Sequence, residues 1–415
     1  MSKLRCGLIG NPLGHSWSPE IHAILDDYSY TLWPMEEDAV APFLKARDFD
    51  AINVTIPYKK TVMPHLDRIS DEARRIGSVN TVVKEADGTL SGYNTDYFGL
   101  SYMLARRGFE LRGKKVVILG SGGASVTAQT VAADRGAAQI AVVTHRENTP
   151  ETLRGHGDAE ILINTTPVGM FPHNGESPAS LDFFPRLEAV VDMIYNPART
   201  ALILDAEERR IPSASGLPML VAQAKMAAEL FTRSPLSDTV FDEALREVSK
   251  AKRNLALVGM PGCGKSTVGR LFAEHSGRVF VDLDAEIEKE AGRPIPAIFS
   301  SDGEAAFRDL ETAVLARFSK ASSLVLATGG GAVIRAENRR LLRENSVVLH
   351  LTRPLDALAK DGRPLSQANS AETLWNARRD FYRAVSDAAL PVDPDPAVTL
   401  ARVTAWWERF SDKNA

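Results

Sequence analysis

The sequence has little cysteine, no long apolar run and no excess of one charge. Its two cysteines, Cys6 and Cys263, are too few for a disulfide framework and suit a reducing compartment, so we expect a cytoplasmic protein. No run of about 18 apolar residues could span a membrane, and the N-terminal apolar segment is too short for a secretory signal. With 53 acidic and 49 basic residues, the net charge of −4 offers no overall positive field for nucleic acid. We therefore expect neither a membrane nor a nucleic-acid partner.

The 415 residues are 44% hydrophobic and 25% charged, an ordinary globular composition. At about 150 residues per domain, this length predicts two or three domains. Short apolar runs alternate with segments of helical spacing, which predicts an α/β fold with parallel sheets covered by helices. The runs cover residues 6–10, 51–56, 115–120, 139–144, 160–164, 189–193, 254–259, 278–282, 323–328 and 346–351. Residues 78–83 and 89–92, joined through Asp87-Gly88, instead predict an antiparallel hairpin.

A domain boundary is predicted near residue 250. Residues 238–252 have helical spacing and end in a basic run, and a strand pattern with a glycine-rich loop follows directly. No Gly/Ser-rich or Pro-rich linker intervenes, so we expect a short junction. The expected division is residues 1–250 and residues 251–415.

The glycine-rich loop of the second half matches the phosphate-binding pattern G-x-x-x-x-G-K-[ST]. It reads Gly259-Met260-Pro261-Gly262-Cys263-Gly264-Lys265-Ser266-Thr267 and follows an apolar strand. Glycines let backbone N–H groups surround phosphate oxygens at a helix N-terminus. Lys265 is expected to neutralise the β- and γ-phosphates of ATP, and Ser266 to ligate Mg²⁺. We interpret Cys263 as a small residue that fits a tight loop.

Further polar residues of this half indicate a small anionic substrate. We expect the second strand to end at Asp282-Leu283-Asp284, so that alternation places both carboxylates on one face. One could help to hold magnesium while the other accepts a proton from a hydroxyl group. Arg308 and Arg378 could bind an anion with forked hydrogen bonds, although either alone is more often a solvated helix residue.

In this order the motifs resemble shikimate kinase across residues 254–415. The resemblance implies that Asp284 contacts the hydroxyl that becomes phosphorylated, that Asp282 supports Mg²⁺ and that Lys265 and Asp284 are catalytic. It assigns shikimate to Asp284, Arg308, Gly329, Gly330, Gly331 and Arg378. It assigns ATP to Gly259, Gly262, Cys263, Gly264, Lys265, Ser266, Thr267 and the lid residue Arg363. The lid, residues 358–363, is short and lacks the additional arginine that many members place over the adenine.

A second glycine loop lies in the first half. A strand pattern over residues 116–119 runs into Gly120-Ser121-Gly122-Gly123-Ala124-Ser125 and then into helical spacing, which is typical of a dinucleotide-binding turn. His145 and Arg146 follow the next strand, at the place where an NAD enzyme usually has an acidic residue. A basic residue there fits the 2′-phosphate of NADP. The alternative for Arg146 is a surface arginine without a ligand.

Residues suited to substrate binding and proton transfer precede this loop in the sequence. Ser18 before Pro19 predicts an N-cap and a helix start, whereas Ser16 has no such role and could hold a carboxylate. Lys59 and Asp96 lie in two loops and could together move a proton onto a carbonyl oxygen as hydride reaches the carbon. A lysine just past a proline is more often only an exposed surface residue.

These segments resemble shikimate dehydrogenase over residues 6–245 and include its N-x-T-x-P-x-K, V-N-T and N-T-D motifs. The resemblance implies that Lys59 and Asp96 are catalytic and that the substrate contacts Ser16, Ser18, Thr55, Asn80, Tyr195 and Gln223. It assigns NADP to Gly120, Gly122, Gly123, Ala124, Ser125, His145, Arg146, Thr165, Met193 and Gly216. It also implies a discontinuous substrate domain, about residues 1–97 and 220–250, around a Rossmann domain of about residues 98–219. Glu147 stands beside Arg146, and Pro150 falls where a second arginine is usual.

The two resemblances name neighbouring steps of one pathway. They imply NADPH-dependent reduction of 3-dehydroshikimate to shikimate, followed by phosphorylation of shikimate to shikimate 3-phosphate with ATP and Mg²⁺. The chain would be a bifunctional enzyme of aromatic amino-acid biosynthesis. Two alternatives stay open: a quinate/shikimate-type oxidoreductase fused to another small-molecule kinase, and a P-loop regulatory protein with a metabolite-sensing dehydrogenase-like domain. Catalysis is favoured because all the reactive residues are present.

Overall fold

The computed structural model describes residues 3–14, 16–358 and 370–410, and in this part of the chain it contains three β-sheets. The α/β prediction is confirmed, because helices cover each sheet and two of the sheets are entirely parallel. Each of the ten predicted apolar runs contains a strand. Among the described residues, every helix is too short or too polar to cross a membrane.

The first sheet is mixed and has six strands in the order β2-β1-β3-β5-β6-β4. Its strands are β1 Arg5–Gly10, β2 Ser29–Pro34, β3 Ala51–Val54, β4 Arg68–Ile69, β5 Thr81–Lys84 and β6 Leu90–Tyr93. Three helices accompany it: α1 Ser18–Leu25, α2 Glu37–Ala46 and α3 Asp71–Ile76. The predicted hairpin is present as the antiparallel pair β5–β6, with Gly88 at φ 82° in its turn. We call this sheet and its helices the first lobe.

The second sheet is a parallel five-stranded sheet in the order β11-β10-β9-β7-β8, and with its helices it forms the second lobe. Its strands are β7 Lys115–Leu119, β8 Gln139–Val143, β9 Ile161–Asn164, β10 Ala189–Asp192 and β11 Ser213–Ala214. The helices are α4 Thr95–Arg106, which leads into it, then α5 Gly123–Asp134, α6 Pro150–Arg154 and α7 Ala201–Glu208.

Two helices return the chain to the first lobe. In α8, Leu217–Thr232, and α9, Asp238–Lys252, the apolar residues pack in one core with Cys6, Ile21 and Ala51 of the first sheet and its helix. Helices α4 and α8 lie in close contact, since a Cβ atom on Gly99 would stand 2.6 Å from the carbonyl oxygen of Met219. This helix pair therefore connects the two lobes, which lie on opposite sides of a cleft.

The C-terminal domain follows after one residue, because α9 ends at Lys252 and the next strand begins at Asn254. Its parallel sheet has the order β13-β14-β12-β15-β16. The strands are β12 Asn254–Val258, β13 Val279–Asp282, β14 Leu324–Ala327, β15 Ser346–Thr352 and β16 Ala388–Pro391. The helices are α10 Lys265–Ser276, α11 Leu283–Ala291, α12 Ile295–Ser319, α13 Ala336–Asn345, α14 Ala371–Val385 and α15 Pro396–Arg409. Helix α12 is broken at Gly303, where φ is 82° and ψ is 174°.

Three local predictions were wrong. Asp96, which was expected in a loop, lies in the first turn of α4. Helix α1 begins at Ser18 itself, and Trp17 stands at its N-cap without a capping side chain. The side chain that hydrogen-bonds to the backbone at this helix start is Ser16, whose Oγ accepts the N–H of Ser18 at 3.2 Å. In the C-terminal domain, β13 ends at Asp282, so Asp284 lies in the first turn of α11 and not on the strand.

Candidate active sites

A cavity of about 340 Å³ lies between the two lobes, and we call it the inter-lobe cavity. Lys59, in the turn after β3, and Asp96, in the first turn of α4, face each other inside it. Lys59 Nζ is 2.6 Å from Asp96 Oδ2, and the two side chains are 31% and 21% exposed. The half-buried ion pair holds the lysine ammonium where a ligand could meet it. All eight dehydrogenase residues predicted from the sequence for catalysis and substrate line this cavity: Ser16, Ser18, Thr55, Lys59, Asn80, Asp96, Tyr195 and Gln223.

A buried amide network forms the floor of this cavity. Asn80 Oδ1 accepts the backbone N–H of Thr95 at 2.7 Å, and Thr95 Oγ1 lies 3.3 Å from Gln223 Oε1. Asn94 caps α4 by accepting the N–H of Tyr97. These bonds fix the first turn of α4, and with it the carboxylate of Asp96. Thr95 was missed from the sequence because its role depends on partners 15 and 128 residues away.

Two aromatic rings from different lobes meet at the cavity wall. Trp17 and Tyr195 pack edge to face with centroids 4.9 Å apart. The loop that carries Tyr195 is fixed by Asp192, whose carboxylate accepts from the backbone N–H of Ile194 at 3.0 Å and from Thr200 Oγ1 at 2.7 Å. Burial raises the pKa of Asp192 to about 6. Sequence reasoning did not identify Asp192 as the residue that positions this loop.

The glycine loop after β7 is shaped by close contacts. Gly120 has φ 109°, and a Cβ atom there would lie 2.6 Å from Thr165 Oγ1, which itself donates to the carbonyl of Leu119 at 2.6 Å. A Cβ atom on Gly216 would stand 2.1 Å from the carbonyl oxygen of Met193. Thr165, Met193 and Gly216 thus lie where the chain crosses the carboxyl ends of the strands. That edge of a parallel sheet is where dinucleotides bind.

Helix α5 begins at Gly123, and the predicted residues Ala124 and Ser125 lie in its first turn. A Cβ atom on Gly122 or Gly123 would meet no atom within 4 Å, so the space before the helix N-terminus is open. The unpaired N–H groups and the positive end of the helix dipole favour an anion there.

Basic and acidic residues share the turn after β8. His145 and Arg146 are exposed, and Arg146 makes no ion pair within the described residues. Glu147 is held by Thr144, whose backbone N–H and Oγ1 both donate to its Oε2, at 3.2 and 2.8 Å. These hydrogen bonds keep the pKa of Glu147 below its usual value. A negative charge therefore stands next to the arginine that we expect to meet the 2′-phosphate.

A second cavity, of about 620 Å³, extends from the glycine loop of the C-terminal domain, and we call it the P-loop cavity. Lys265, at the start of α10, is buried and donates to the carbonyls of Gly259 and Met260 at 2.9 and 3.0 Å. Left-handed backbone at Gly262 and Gly264, with φ of 80° and 102°, curls the loop around the helix N-terminus. Most of the residues predicted for ATP and metal line this cavity: Gly262, Gly264, Lys265, Ser266, Thr267 and Asp282. Gly259 and Cys263 are part of the same loop, Cys263 is fully buried, and Arg363 lies outside the described residues.

Asp282 and Asp284 both line the P-loop cavity, as predicted. They meet there through the start of a helix, however, and not through alternation along a strand. Asp282 is the N-cap of α11, and its Oδ1 accepts the backbone N–H of Asp284 at 3.1 Å. A Cβ atom on Gly329 would stand 2.8 Å from Asp284 Oδ1, so this carboxylate rests against the glycine segment. The helix turn brings the two carboxylates together.

One wall of the P-loop cavity is formed by two buried arginines and by a glycine segment. Arg308 is buried and donates to Glu311 at 2.7 Å and to Glu304 at 3.1 Å. A Cβ atom on Gly331 would lie 2.4 Å from Arg308 Nη2. Arg378 is also buried and lines the same wall. Glu311 and Arg353, a half-buried residue just after β15, line the cavity too, and neither was identified from the sequence.

The two halves match different families. The family model of the shikimate dehydrogenase substrate-binding domain matches residues 8–82, and the shikimate kinase model matches residues 261–405. Shikimate dehydrogenase (NADP(+)) of Clostridium beijerinckii is 35% identical over 254 residues, covering 56% of this chain and 93% of the relative. The chain belongs to the shikimate dehydrogenase family. Since its C-terminal domain carries the shikimate kinase match, it is a bifunctional enzyme of the shikimate pathway, as the sequence predicted.

Solved structures of shikimate dehydrogenases support this membership. Shikimate 5-dehydrogenase from Thermus thermophilus, in complex with NADP(H) and shikimate, is 32% identical with a TM-score of 0.53, covering 59% of this chain and 99% of that one. A chorismate mutase/shikimate 5-dehydrogenase fusion from Clostridium acetobutylicum is 33% identical with a TM-score of 0.56, covering 60% of this chain and 98% of that one. Both cover the dehydrogenase share of the chain.

The P-loop cavity of this shikimate-pathway enzyme offers oxygen ligands to a magnesium ion. Among the described residues, no group of three or more His, Cys, Asp or Glu side chains could hold a metal alone. Ser266 and Asp282 nevertheless line one cavity and supply a hydroxyl and a carboxylate. Magnesium at phosphate-transfer sites commonly binds through one or two protein oxygens, with phosphates and water completing its shell. The donor set therefore fits Mg²⁺ that arrives with a nucleotide.

Proposed function

We propose that the first half reduces 3-dehydroshikimate to shikimate with NADPH, and that the C-terminal domain phosphorylates shikimate with ATP and Mg²⁺. The domains are residues 1–250, with a substrate part of about 1–97 and 220–250 around a Rossmann part of about 98–219, and residues 251–415. The observation that carries the dehydrogenase proposal is the Lys59–Asp96 ion pair at 2.6 Å in the inter-lobe cavity. We also propose 3-dehydroshikimate and shikimate as small-molecule partners, no nucleic-acid or membrane partner, and a cytoplasmic location.

In the reduction, Lys59 donates a proton to the ketone oxygen of the substrate. NADPH, when bound at the glycine loop of the second lobe, supplies the hydride. Asp96 holds the ammonium of Lys59 in place and aims it into the cavity, because its carboxylate is itself fixed by the first turn of α4. The hydroxyl groups of Ser16, Ser18, Thr55 and Tyr195, with the amides of Asn80 and Gln223, surround the ring substituents. Such proton transfer contributes about 10²–10⁴ in rate.

In the phosphorylation, Asp284 accepts or orients the proton of the attacking hydroxyl. Arg308 and Arg378 bind the carboxylate of shikimate, and the bare backbone of Gly329, Gly330 and Gly331 lets the ring approach the wall. Lys265 leaves the carbonyls of Gly259 and Met260 for the phosphates, since an ammonium gains more from an anion than from a carbonyl oxygen. Ser266 and Asp282 would hold Mg²⁺ that arrives with the nucleotide, and the ion would supply positive charge for the phosphates.

Two single variants of the full chain test the proposal. Lys59→Ala should abolish NADPH oxidation with 3-dehydroshikimate and leave ATP-dependent phosphorylation of added shikimate intact. Lys265→Ala should do the reverse. Supplying the unmodified chain with quinate and NADP⁺ as well tests the alternative quinate-type oxidoreductase. Wild-type turnover of neither substrate, or loss of both activities in either variant despite normal folding, would refute the assignment.

A further inference from the structure

The C-terminal domain contacts both lobes of the dehydrogenase half. On the second lobe, α13 lies against α7, and Arg340 forms ion pairs with Asp205 at 2.6 Å and with Glu208 at 3.0 Å. Arg343, on the same face of α13, pairs with Glu207. Two arginines three residues apart on α13 thus face three carboxylates on α7. These side chains have no part in either reaction described above.

A buried arginine of the second lobe completes this contact. Arg199 is 7% exposed, and its backbone N–H donates to the carbonyl of Glu344 at 2.8 Å. Its guanidinium lies 3.3 Å from Glu207 and 3.6 Å from Asp387 of the C-terminal domain. Arg199 stands four residues after Tyr195, at the end of the loop that forms one wall of the inter-lobe cavity. The contact therefore reaches the segment that carries a cavity residue.

The contact with the first lobe also ends at a cavity residue. Arg278 of the C-terminal domain donates to the carbonyls of Lys250 and Arg253 and so holds the end of α9. Lys252, in the last turn of that helix, pairs with Glu20 of α1 at 2.5 Å and lies 5.3 Å from the centre of the Trp17 ring. Trp17 lies on the first-lobe side of the cavity wall, where its ring packs edge to face against Tyr195 of the second lobe.

We propose that the C-terminal domain braces the two lobes of the dehydrogenase and so holds Trp17 of the first lobe against Tyr195 of the second at the wall of the inter-lobe cavity. Arg340 and Arg343 of α13 recognise the α7 face of the second lobe by charge, and Arg199 of that lobe pairs in return with Asp387 of the C-terminal domain. Interfaces between domains that are this polar normally permit relative motion. Here the C-terminal domain is attached to the second lobe through α13 and to the first lobe through α9. The domain therefore bridges the two lobes and limits how far they open. This inference rests on the proposed dehydrogenase activity.

The test is charge reversal at the centre of the bridge in the full chain. Arg340→Glu places a carboxylate opposite Asp205 and Glu208, which should separate α13 from α7. We expect a larger radius of gyration in small-angle scattering and a rise of about tenfold in KM for shikimate in NADP⁺-linked oxidation, because small misplacements of binding groups have large effects. Kinase turnover and its KM for ATP should stay unchanged, since Arg340 lies outside the P-loop cavity.

Glu337→Lys is the matched control, because Glu337 is exposed on the same helix and the change of charge is equally large. It should leave scattering and kinetics unchanged. A larger radius of gyration with an unchanged dehydrogenase KM would overturn the proposal, because the contact would then have no effect on the inter-lobe cavity. An unchanged radius for Arg340→Glu would equally overturn it, since the domains would not depend on this bridge. Failure of the proposed function itself would be recognised separately, by absence of shikimate oxidation in the wild-type chain.

Discussion

Arg308 and Glu311 form a buried ion pair in the wall of the P-loop cavity, with Nη1 2.7 Å from Oε2 and side chains 8% and 2% exposed. Burial raises the pKa of Glu311, while the adjacent Arg308 guanidinium lowers it. The carboxylate of Glu311 compensates the buried guanidinium of Arg308, which we propose binds the anionic substrate. Removing one partner of such a pair leaves the other charge uncompensated.

Glu311→Ala should therefore destabilise the C-terminal domain by about 3–5 kcal/mol, the usual cost of breaking a buried pair. The loss can be measured as a shift in the urea transition that accompanies loss of kinase activity. Glu304→Ala is the matched control, because Glu304 pairs with the same arginine but is 53% exposed. Exposed pairs contribute about 0–1 kcal/mol. Equal shifts for the two variants would contradict the structural role given to Glu311.

Two glycine substitutions should separate the two kinase substrates. A Cβ atom on Gly331 would lie 2.4 Å from Arg308 Nη2, whereas one on Gly330 would lie 2.6 Å from Pro261 of the glycine-rich loop. Gly331→Ala should displace Arg308 and raise KM for shikimate, and Gly330→Ala should disturb the loop and raise KM for ATP. Steady-state kinetics with each substrate varied in turn would check this. The same KM change in both variants would argue for a general distortion instead.

The sequence was informative wherever one short segment carried the whole signal. Buried strands such as β7 and β12 could be predicted because their apolar runs end in glycine turns. Strand β2 was missed, since it lies at a sheet edge with half-exposed residues and its pattern resembles a loop. The assignment of Asp284 to a strand failed although a signal existed. An aspartate followed by acidic residues in the next turn is typical of a helix N-cap, and Asp282 has that role.

Residues that act through distant partners could not be predicted. Thr95 hydrogen-bonds to Asn80 and Gln223, and Asp192 fixes the loop before Thr200. No sequence motif indicates which partners these two residues have. The charges of α7 and α13 are another case. Asp205 and Arg340 look like ordinary solvated helix residues in the sequence, because pairing over 135 residues depends on how the domains dock. Chain topology decides such contacts.

Arg146 is predicted to set cofactor preference. Arg146→Ala should weaken NADPH binding about tenfold to a hundredfold and leave NADH nearly unaffected, since a charged hydrogen bond to the 2′-phosphate is worth about 1.5–3 kcal/mol. Glu147→Gln should have the opposite effect and strengthen NADPH binding, because it removes the negative charge that Thr144 holds beside that site. Fluorescence titrations with both cofactors would measure this. Parallel losses for NADPH and NADH in Arg146→Ala would make the arginine structural.

His22 should make the first lobe sensitive to acid. Its imidazole is buried between Tyr30 and Phe231, with ring centroids 4.0 and 5.8 Å away, and its Nδ1 lies 2.5 Å from the Tyr28 hydroxyl. Burial lowers the pKa of His22 from 6.5 to about 3. Below pH 6.5, His22 becomes protonated in the unfolded chain but stays neutral in the folded protein. Stability from this group is thus complete above that pH and is lost as the pH falls toward 3.

Between pH 7 and pH 5 this single group should lower the free energy of unfolding by about 2 kcal/mol, at about 1.4 kcal/mol per pH unit. His22→Phe keeps the ring stack and removes the titrating group, so its stability should depend less on pH by that amount, whatever its stability at pH 7. His65→Phe, at an exposed residue of the same lobe, should retain the wild-type dependence. Urea titrations at both pH values, followed by the transition that removes dehydrogenase activity, would measure the difference. If wild type and His22→Phe lose equal stability over this range, His22 is not the acid-sensitive group and the loss comes from other titrating residues.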